Sequence, residues 1–402
     1  MISDFKEILS VNVKGMKKSA IRELLKLTSD PEIISFAGGL PDPSTFPVEE
    51  LKEVVAEVLQ EDAAKALQYG STEGDTKLRE LIVENYRAKG FDITIDNVMI
   101  TTASQQALDL LSKLFIDRGD KVIVGLPSYL GGLGAFNAYG AEAVGVEFDE
   151  HGMIADKLES TLAEMKANGE KPKFIYIIPD FQNPAGITMP EERRKKVIEI
   201  AKAYDVLIVE DSPYKELRFE GEEQKSLYAL DNTGQVITLG TFSKIFVPGF
   251  RIGWVIAHPE ITDKFITAKQ STDLCTSPFV QKISAKYIEK GYYEKNLKKT
   301  IQLYKEKKEG MMSAFEKYMP KGVSWTKPEG GLFLFVTLPE YMDAEKLFLK
   351  AIKEKVAFVI GNVFYCNGGG KNTMRINFSY MDKDSNTEGV KRLAKVIESE
   401  MK

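Results

Sequence analysis

Between about residues 97 and 257, short runs of apolar and β-branched residues alternate with segments that have helical periodicity. Seven runs follow one another in this region: NVMIT, KVIVG, AVGVEF, KFIYIIP, VLIVED, QVITLG and IGWVIA. Continuous apolar strands separated by helices are typical of a parallel sheet whose two faces are covered. The pattern therefore predicts an α/β fold in which helices sandwich a mostly parallel seven-stranded sheet.

The pattern changes beyond this region. A long charged helical stretch, roughly residues 260–317, leads to SWTKPEGGLFLFVTLP and later to TMRINFSY, which we predict to be strands of a smaller α+β domain. Near the N-terminus, an amphipathic helix around Lys18–Thr28 precedes the loop SFAGGLPDPSTFP, whose glycines and prolines disfavour regular structure. We predict an N-terminal arm associated with the small domain (1–45), a large ligand-binding domain (46–290) and a small C-terminal domain (291–402).

Composition excludes several classes of protein. The net charge of −5 gives no electrostatic reason to expect nucleic-acid binding, and no apolar run is long enough to span a membrane. Cys275 and Cys366 offer neither a disulfide framework nor a metal site, so we expect no metal and a reducing cytoplasm. His151 and His258 lie in turn-like segments, which directs attention to lysine, tyrosine and a cofactor as the source of chemistry.

Residues that follow the predicted strands are candidates for function, because active residues cluster at the carboxyl ends of parallel strands. TFSKIFVPGFRIGW follows one run and brings Thr241, Ser243 and Arg251 close to Lys244 in sequence. Two hydroxyl groups and a guanidinium are the donors that a phosphate dianion needs. Lysines are mostly solvated, so these neighbours are what favours a functional role for Lys244.

A helix that begins directly after MITT provides a second candidate anion site. Ser104 and Gln105 lie in its first turn, where free backbone N–H groups and the helix dipole attract negative charge. Ser104 could equally be an N-cap residue. The two roles are compatible, since they use the same geometry.

Three further strand ends carry polar or aromatic residues. Asp211 ends an apolar run, and burying its carboxylate is costly without a cationic partner. A protonated pyridine nitrogen would be such a partner, worth about 4 kcal/mol at an effective dielectric constant near 20. Asn183 and Tyr214 could hydrogen-bond a phenolic oxygen, and Tyr129 could stack on a ring. Turn formation explains Asp211 and Asn183 equally well in isolation, and ordinary packing explains Tyr129.

Taken together, these strand ends match the needs of one ligand, a phosphorylated and protonated aromatic aldehyde. At this point the chain resembles, over nearly its whole length, the fold-type I, pyridoxal 5′-phosphate (PLP)-dependent class I aminotransferases. The segments that carry the resemblance are SKIFVPGFRIGW, NPAG, EDSPY and QYGSTEG. It implies an enzyme that moves amino groups between amino acids and 2-oxo acids.

The resemblance also implies a role for individual residues. Lys244 would bind the cofactor aldehyde covalently, Asp211 would pair with the ring nitrogen, and Tyr129 would stack on the ring. Asn183 and Tyr214 would bind the phenolic oxygen. The remaining implied contacts are the phosphate ligands Ser104, Gln105, Thr241, Ser243 and Arg251, with Tyr69 from the second subunit of a homodimer, and Arg375 at the substrate α-carboxylate. Threonine at position 241 replaces a serine that is frequent in relatives, and the hydroxyl is retained.

Within this family, SAIRELLKLTSDPEIISFAGGLPDPSTFP is similar to the 2-aminoadipate and kynurenine aminotransferase subgroup. The similarity implies that the N-terminal helix is a lid, that Arg22 meets an acidic substrate side chain and that Gly39 lies beside the substrate. The expected donors are 2-aminoadipate, aromatic or branched-chain amino acids, with 2-oxoglutarate as acceptor and ping-pong kinetics. Two alternatives stay open: a PLP-dependent lyase of the same fold, and a PLP-sensing regulator, for which the sequence before the match leaves no room for a DNA-binding module.

Overall fold

The computed structural model describes residues 7–16 and 30–401. Within these residues, β-strands occupy fourteen segments. In chain order they are β1 (Ile34–Ser35), β2 (Val98–Thr101), β3 (Lys121–Leu126), β4 (Glu142–Asp149), β5 (Gly152–Met153), β6 (Phe174–Ile177), β7 (Leu207–Asp211), β8 (Val236–Thr241), β9 (Gly253–Ile256), β10 (Ser324–Trp325), β11 (Phe333–Thr337), β12 (Val356–Ala357), β13 (Val359–Ile360) and β14 (Thr373–Asn377).

The same part of the chain forms thirteen α-helices. They are α1 (Val11–Gly15), α2 (Val48–Ala66), α3 (Thr76–Ala88), α4 (Ala103–Phe115), α5 (Leu130–Ala138), α6 (Ala155–Ala167), α7 (Glu191–Ala203), α8 (Leu227–Leu230), α9 (Pro259–Gln270), α10 (Pro278–Glu289), α11 (Tyr292–Tyr318), α12 (Ala344–Lys353) and α13 (Lys383–Glu400). Among these helices, none has both the length and the apolar character needed to cross a membrane.

The large sheet has the strand order β2-β9-β8-β7-β6-β3-β4-β5. Five of its strands, β4, β3, β6, β7 and β8, run parallel to one another, whereas β9 is antiparallel to both β8 and β2, and β5 is antiparallel to β4. Nearly every residue of β6, β7 and β8 is buried, which is why their sequences are continuously apolar and do not alternate. The predicted fold class and its seven strands are confirmed, and the two-residue β5 adds an eighth strand at one edge.

A second, antiparallel sheet with the order β10-β11-β14-β13 lies in the C-terminal part of the chain, where α11 and α13 pack against each other. The N-terminal arm reaches this part, because β1 pairs in parallel with β12. Ser35 therefore lies in a strand, although we expected its glycine- and proline-rich loop to lack regular structure. The domain boundaries given above stay predictions.

The helical stretch predicted for residues 260–317 is divided into three helices. α10 begins at Pro278, which lacks the N–H group that a continuing helix would require. Gly291 separates α10 from α11 and adopts a left-handed conformation with φ of 69°. Periodicity alone did not reveal these interruptions, since the hydrophobic pattern on either side is helical. The helix predicted around Lys18–Thr28 lies outside the described residues.

The loop between β6 and α7 carries Asn183 and is fastened by Arg194. The Arg194 side chain is fully buried, and its Nη2 donates to Oδ1 of Asp180 at 2.7 Å. Its Nε donates to the carbonyl oxygen of Met189 at 2.8 Å. Asp180 and Met189 lie near the two ends of the loop, so one guanidinium fixes their separation and thereby the position of Asn183.

Replacing Arg194 with methionine should lower the free energy of unfolding by about 3 kcal/mol, because it leaves Asp180 buried without its bidentate partner. The loss should fall at the lower end of the range for such pairs, since Arg218 stays 3.8 Å from Asp180. The control is Lys196→Met on the same helix, whose ion pair with Asp156 is largely exposed and whose loss should cost less than about 0.5 kcal/mol. Denaturant-induced unfolding measures both, and equal losses would contradict this account.

Candidate active site

Five loops meet at the edge of the large sheet where β2, β3, β6, β7 and β8 end. Because β9 is antiparallel to these strands, it begins at this same edge, and the segment that precedes it lies there too. The candidate residues that these loops and strand ends carry are Ser104, Tyr129, Asn183, Asp211, Lys244 and Arg251. The fold thus gathers the predicted residues from widely separated parts of the chain.

Asp211 is the last residue of β7 and is 2% exposed. Its Oδ2 accepts a hydrogen bond from the phenol of Tyr176 at 2.7 Å. Its Oδ1 is buried and has no hydrogen-bond partner among the described residues. Burial raises the pKa of Asp211 to about 7, although the Tyr176 bond acts in the opposite direction. A cationic N–H group placed at Oδ1 would satisfy this oxygen and stabilise the carboxylate.

Asn183, Tyr214 and Arg375 form a buried chain of hydrogen bonds. Nδ2 of Asn183 donates to the Tyr214 hydroxyl at 3.2 Å. Arg375, from the middle of β14, donates through Nη1 to Oδ1 of Asn183 at 2.9 Å and through Nη2 to the carbonyl oxygen of Ala37 at 2.8 Å. The second sheet and the N-terminal arm thus contribute directly to a site whose other groups come from the large sheet.

Two aromatic rings flank the Arg375 guanidinium. Its Cζ lies 4.2 Å from the ring centroid of Phe333 and 5.3 Å from that of Phe364. Burial lowers the pKa of Arg375 to about 10, so the group stays charged at neutral pH. Its Nε is buried with no hydrogen-bond partner among the residues described. A carboxylate is the ligand that such a buried, partly unsatisfied guanidinium best accommodates.

Lys244 follows β8, and its Nζ donates to the carbonyl oxygen of Gly39 at 2.8 Å. Burial, together with the positive charges of Arg375 and Arg251, lowers the pKa of Lys244 to about 8. A lysine with this pKa supplies far more neutral amine near neutral pH than a solvated one does. Neutral amine is the form that attacks a carbonyl carbon and accepts a proton.

Hydroxyl and guanidinium groups cluster beside Lys244. The Thr241 hydroxyl lies 2.9 Å from the Ser243 hydroxyl and donates to the carbonyl oxygen of Ile252 at 2.9 Å. Nη1 of Arg251 lies 3.4 Å from the Ser243 hydroxyl oxygen. Arg251 has φ of 55°, a left-handed conformation that turns the chain back towards Lys244. These are donors suited to a phosphate group.

The first turn of α4 lies against the same edge of the sheet. Ala103 opens this helix with φ of 60°, and no side chain of Thr102 caps it. Gly253 permits the close approach, because a Cβ atom there would lie 2.7 Å from the carbonyl carbon of Ala103. The Ser104 hydroxyl donates to the carbonyl oxygen of Gly240 at 3.3 Å, and Nε2 of Gln105 donates to the carbonyl oxygen of Gly131 at 3.2 Å. The backbone N–H groups of this turn are available for an anion.

Of the remaining predicted residues, Tyr129 lies near the site, whereas Tyr69 lies on the surface of this chain. The half-buried Tyr129 precedes α5, and its ring lies over Gly131, where a Cβ atom would be 2.4 Å from Tyr129 Cζ. Tyr69 is 80% exposed and does not join the buried site within this chain. Arg22 lies outside the described residues. The roles assigned to single residues stay predictions.

Sequence reasoning missed three side chains of the site. Tyr176 lies within the apolar strand β6. A tyrosine within such an apolar run needs a hydrogen-bond partner for its hydroxyl group, and this was the signal in the sequence. Phe333 and Phe364 had no signal, because their significance depends on how the second sheet lies against the first.

The site fits PLP in its donor set. The unsatisfied oxygen of Asp211 suits a ring N–H⁺ group, the Asn183–Tyr214 pair suits a phenolic oxygen, and the donors around Ser243 suit a phosphate. No group of three or more histidine, cysteine, aspartate or glutamate side chains in the described ranges could hold a metal ion.

Comparison with known proteins agrees with this fit. The family profile described as aminotransferase class I and II matches residues 32–393. The chain is 50% identical to aromatic-amino-acid aminotransferase 1 of Thermococcus litoralis over 99% of this chain and 96% of that protein. It is 40% identical to 2-aminoadipate transaminase of Thermus thermophilus over 95% of this chain and 94% of that protein. A structure of Pyrococcus horikoshii kynurenine aminotransferase, in complex with PMP, superposes with a TM-score of 0.96 at 48% identity, covering 100% and 99% of the two chains.

The raised pKa of Asp211 predicts how the stability of the cofactor-free protein depends on pH. The folded state holds this proton more tightly than the unfolded state, whose carboxyl group has a pKa near 3.9. Stability is therefore lost as pH rises from about 4 to about 7, by up to about 4 kcal/mol in total.

Asp211→Asn removes this titration, so the variant should gain stability over the wild type between pH 5 and pH 8. Denaturation midpoints of the two cofactor-free proteins at these pH values measure the gain. A difference that is the same at both pH values would show that Asp211 is not desolvated.

Proposed function

The chain belongs to the class I and II aminotransferase family, and we propose that it uses a broad set of amino donors, namely aromatic amino acids, kynurenine, 2-aminoadipate and leucine, with 2-oxoglutarate as acceptor. It is a PLP-dependent transaminase. PLP, when bound, supplies an electrophilic carbonyl carbon and an electron-withdrawing ring. The protein supplies groups that bind, orient and move protons, and the donor range depends on what surrounds them.

The observation that carries the proposal that amino acids react at this site is that Lys244 and Arg375 contact the same short segment of the N-terminal arm. Lys244 Nζ donates a hydrogen bond to the carbonyl oxygen of Gly39, and Arg375 Nη2 donates one to the carbonyl oxygen of Ala37, which is two residues before Gly39. An amino acid has its amino nitrogen and its carboxylate separated by one carbon atom. The amine and guanidinium are therefore close enough together to act on one such molecule, with Arg375 holding the carboxylate and Lys244 moving the α-proton.

The protonation states support these roles. With a pKa of about 8, Lys244 exchanges protons readily near neutral pH, whereas Arg375, with a pKa of about 10, keeps its charge. Lys244 can therefore gain and lose a proton during the reaction, whereas Arg375 stays charged and continues to bind the carboxylate. Asp211, buried at the end of β7, is the group that we propose to hold the ring nitrogen.

The proposed donor range rests on the polarity of the site and on the relatives. Among the described residues, the buried cation at the site besides Lys244 is Arg375, and we assign it to the α-carboxylate. An acidic side chain then needs another cation, for which Arg22 is the candidate. Relatives bear the names aromatic-amino-acid aminotransferase and 2-aminoadipate transaminase, and one structure of a Thermus thermophilus relative carries a phosphopyridoxyl-leucine adduct.

We also propose a homodimer whose two sites each take Tyr69 from the partner, in a cytoplasmic setting that suits two free cysteines. Tyr69 is 80% exposed and lies in a surface region with other exposed apolar side chains in its own chain segment, such as Leu67. Gly70 is held against Pro278, where a Cβ atom would lie 2.9 Å from Pro278 Cγ. The exposed ring is thus carried by a firmly seated backbone, as a residue that reaches a partner requires.

Lys244→Ala should abolish turnover while leaving the unfolding transition of the protein largely unchanged. Lys244→Arg, which keeps the charge but cannot act as a nucleophile, should be equally inactive. Initial rates with wild-type protein should give parallel double-reciprocal lines, since the amino group is held by the enzyme between two half-reactions. Intersecting lines, or release of ammonia in place of amino transfer, would count against this reaction.

Arg22→Ala should reduce kcat/KM for 2-aminoadipate much more than for leucine. The expected loss is that of a charge-assisted pair, about 1.5–3 kcal/mol, or ten- to 150-fold. Lys17→Ala, a charge-matched change in the same region, is the control and should affect both donors alike. If Arg22→Ala reduces both donors equally, another residue selects the acidic side chain.

A further inference from the structure

We propose that Tyr176 is a positioning residue for the ring-binding carboxylate, because its phenol occupies Oδ2 of Asp211 so that Oδ1 is the oxygen left to meet the cofactor ring nitrogen. The inference rests on the cofactor site described above. It assigns to a strand residue a function that neither the motifs nor the comparisons indicate.

The strand register produces this contact. β6 and β7 are parallel neighbours in which Tyr176 lies beside Val209. Side chains two residues apart on a strand point to the same face, so Tyr176 and Asp211 share one face of the sheet. The phenol spans the remaining distance and donates to Oδ2 at 2.7 Å. A one-residue shift in register would place the two groups on opposite faces.

Packing prevents the Tyr176 ring from turning away. Tyr176 is 2% exposed, and its ring meets that of Phe136 edge-on, with centroids 5.3 Å apart. On α5, Gly132 lies so close that a Cβ atom there would be 3.0 Å from Tyr176 Cε1. α5 begins directly after Tyr129, so the same helix that fixes the phenol also carries the ring predicted to stack on the cofactor.

The phenol is a permanent donor. Burial raises the pKa of Tyr176 well above its usual value, so the phenol keeps its proton at neutral pH. Its hydrogen bond favours the charged form of Asp211 and opposes the effect of burial. Within residues 7–16 and 30–401, the other titratable groups that interact with Asp211 are the hydroxyls of Tyr129 and Tyr214, and both are neutral near pH 7 because burial raises their pKa. Tyr176 is therefore the group that keeps a carboxylate available for the ring nitrogen.

Two functions follow from one bond. First, a carboxylate with both oxygens free could rotate, whereas the phenol fixes which oxygen points into the site. Second, loss of the bond would raise the pKa of Asp211 further and leave the carboxyl group protonated in the cofactor-free protein. Both effects weaken the pairing on which cofactor binding depends.

The test compares Tyr176→Phe with Tyr287→Phe. Tyr287 is a matched control, because it is 1% exposed and its hydroxyl is buried with no hydrogen-bond partner among the described residues. Titration of cofactor-free protein with PLP, followed by visible absorbance, should show about tenfold or greater loss of affinity for Tyr176→Phe and little change for Tyr287→Phe. The kcat of Tyr176→Phe should fall while KM for the donor changes little, because Arg375 is untouched.

The pH dependence provides a readout that an ordinary packing defect would not move. A higher pKa for Asp211 extends the range over which stability falls with rising pH, so the cofactor-free Tyr176→Phe protein should continue to lose stability above pH 7. In an Asp211→Asn background, Tyr176→Phe should have little further effect on PLP affinity. An undiminished effect there would overturn the proposal, as would wild-type affinity in Tyr176→Phe itself.

A second pair of variants keeps the proposal testable if Tyr176→Phe does not fold. Gly132→Ala should displace the phenol by a few tenths of an ångström and weaken PLP binding to a smaller extent. Gly134→Ala, on the same helix but with nothing within 4 Å of the new Cβ atom, is its control. Equal affinities in this pair would overturn the proposal. If the proposed donor range proved wrong, the expected PLP affinities of these variants would not change. The hypothesis about donors and the hypothesis about Tyr176 can therefore be refuted independently.

Discussion

The site depends on the burial of one carboxylate at the end of a parallel strand. Asp211 is removed from water, yet Tyr176 satisfies just one of its oxygens. The cost of burying this carboxylate is visible in its pKa, which is raised to about 7, and a cationic ring nitrogen beside it would offset that cost. The large sheet makes the arrangement possible, because parallel strands covered on both faces bring their ends to a single dry edge. The buried carboxylate would therefore favour a protonated ring over a neutral one.

Much of the fold and of the site could be predicted because strand ends are local features of the sequence. Continuous apolar runs indicated β6, β7 and β8, and Asn183, Asp211 and Lys244 lie at the end of such a run or shortly after it. By contrast, the breaks at Pro278 and Gly291 interrupt a hydrophobic pattern that is helical on both sides, so periodicity did not locate them. The short strand β5 gave no signal, since two residues cannot display a period.

Contacts between distant segments could not be predicted from residue patterns. Resemblance pointed to Arg375, but the contacts of its guanidinium with the Phe333 and Phe364 rings depend on how the second sheet is placed. Likewise, the arm segment near Gly39 looked like a loop beside a ligand. The structure adds that its carbonyl groups bond Lys244 and Arg375, which the sequence could not specify because backbone acceptors are the same at every residue.

The placement of Arg375 on β14 has a mechanical consequence. Arg375, the proposed anchor for the carboxylate, lies in the second sheet, whereas Lys244, the proposed proton carrier, follows a strand of the large sheet, and the arm contacts both. An error of about 1 Å in the position of a reacting group costs about a hundredfold in rate, although it scarcely affects stability. With the proposed roles of Arg375 and Lys244, substitutions deep in the second sheet would change catalysis by changing the distance between these two groups. The relative placement of the two sheets would then set the spacing between the groups that hold the amino and carboxylate ends of an amino acid.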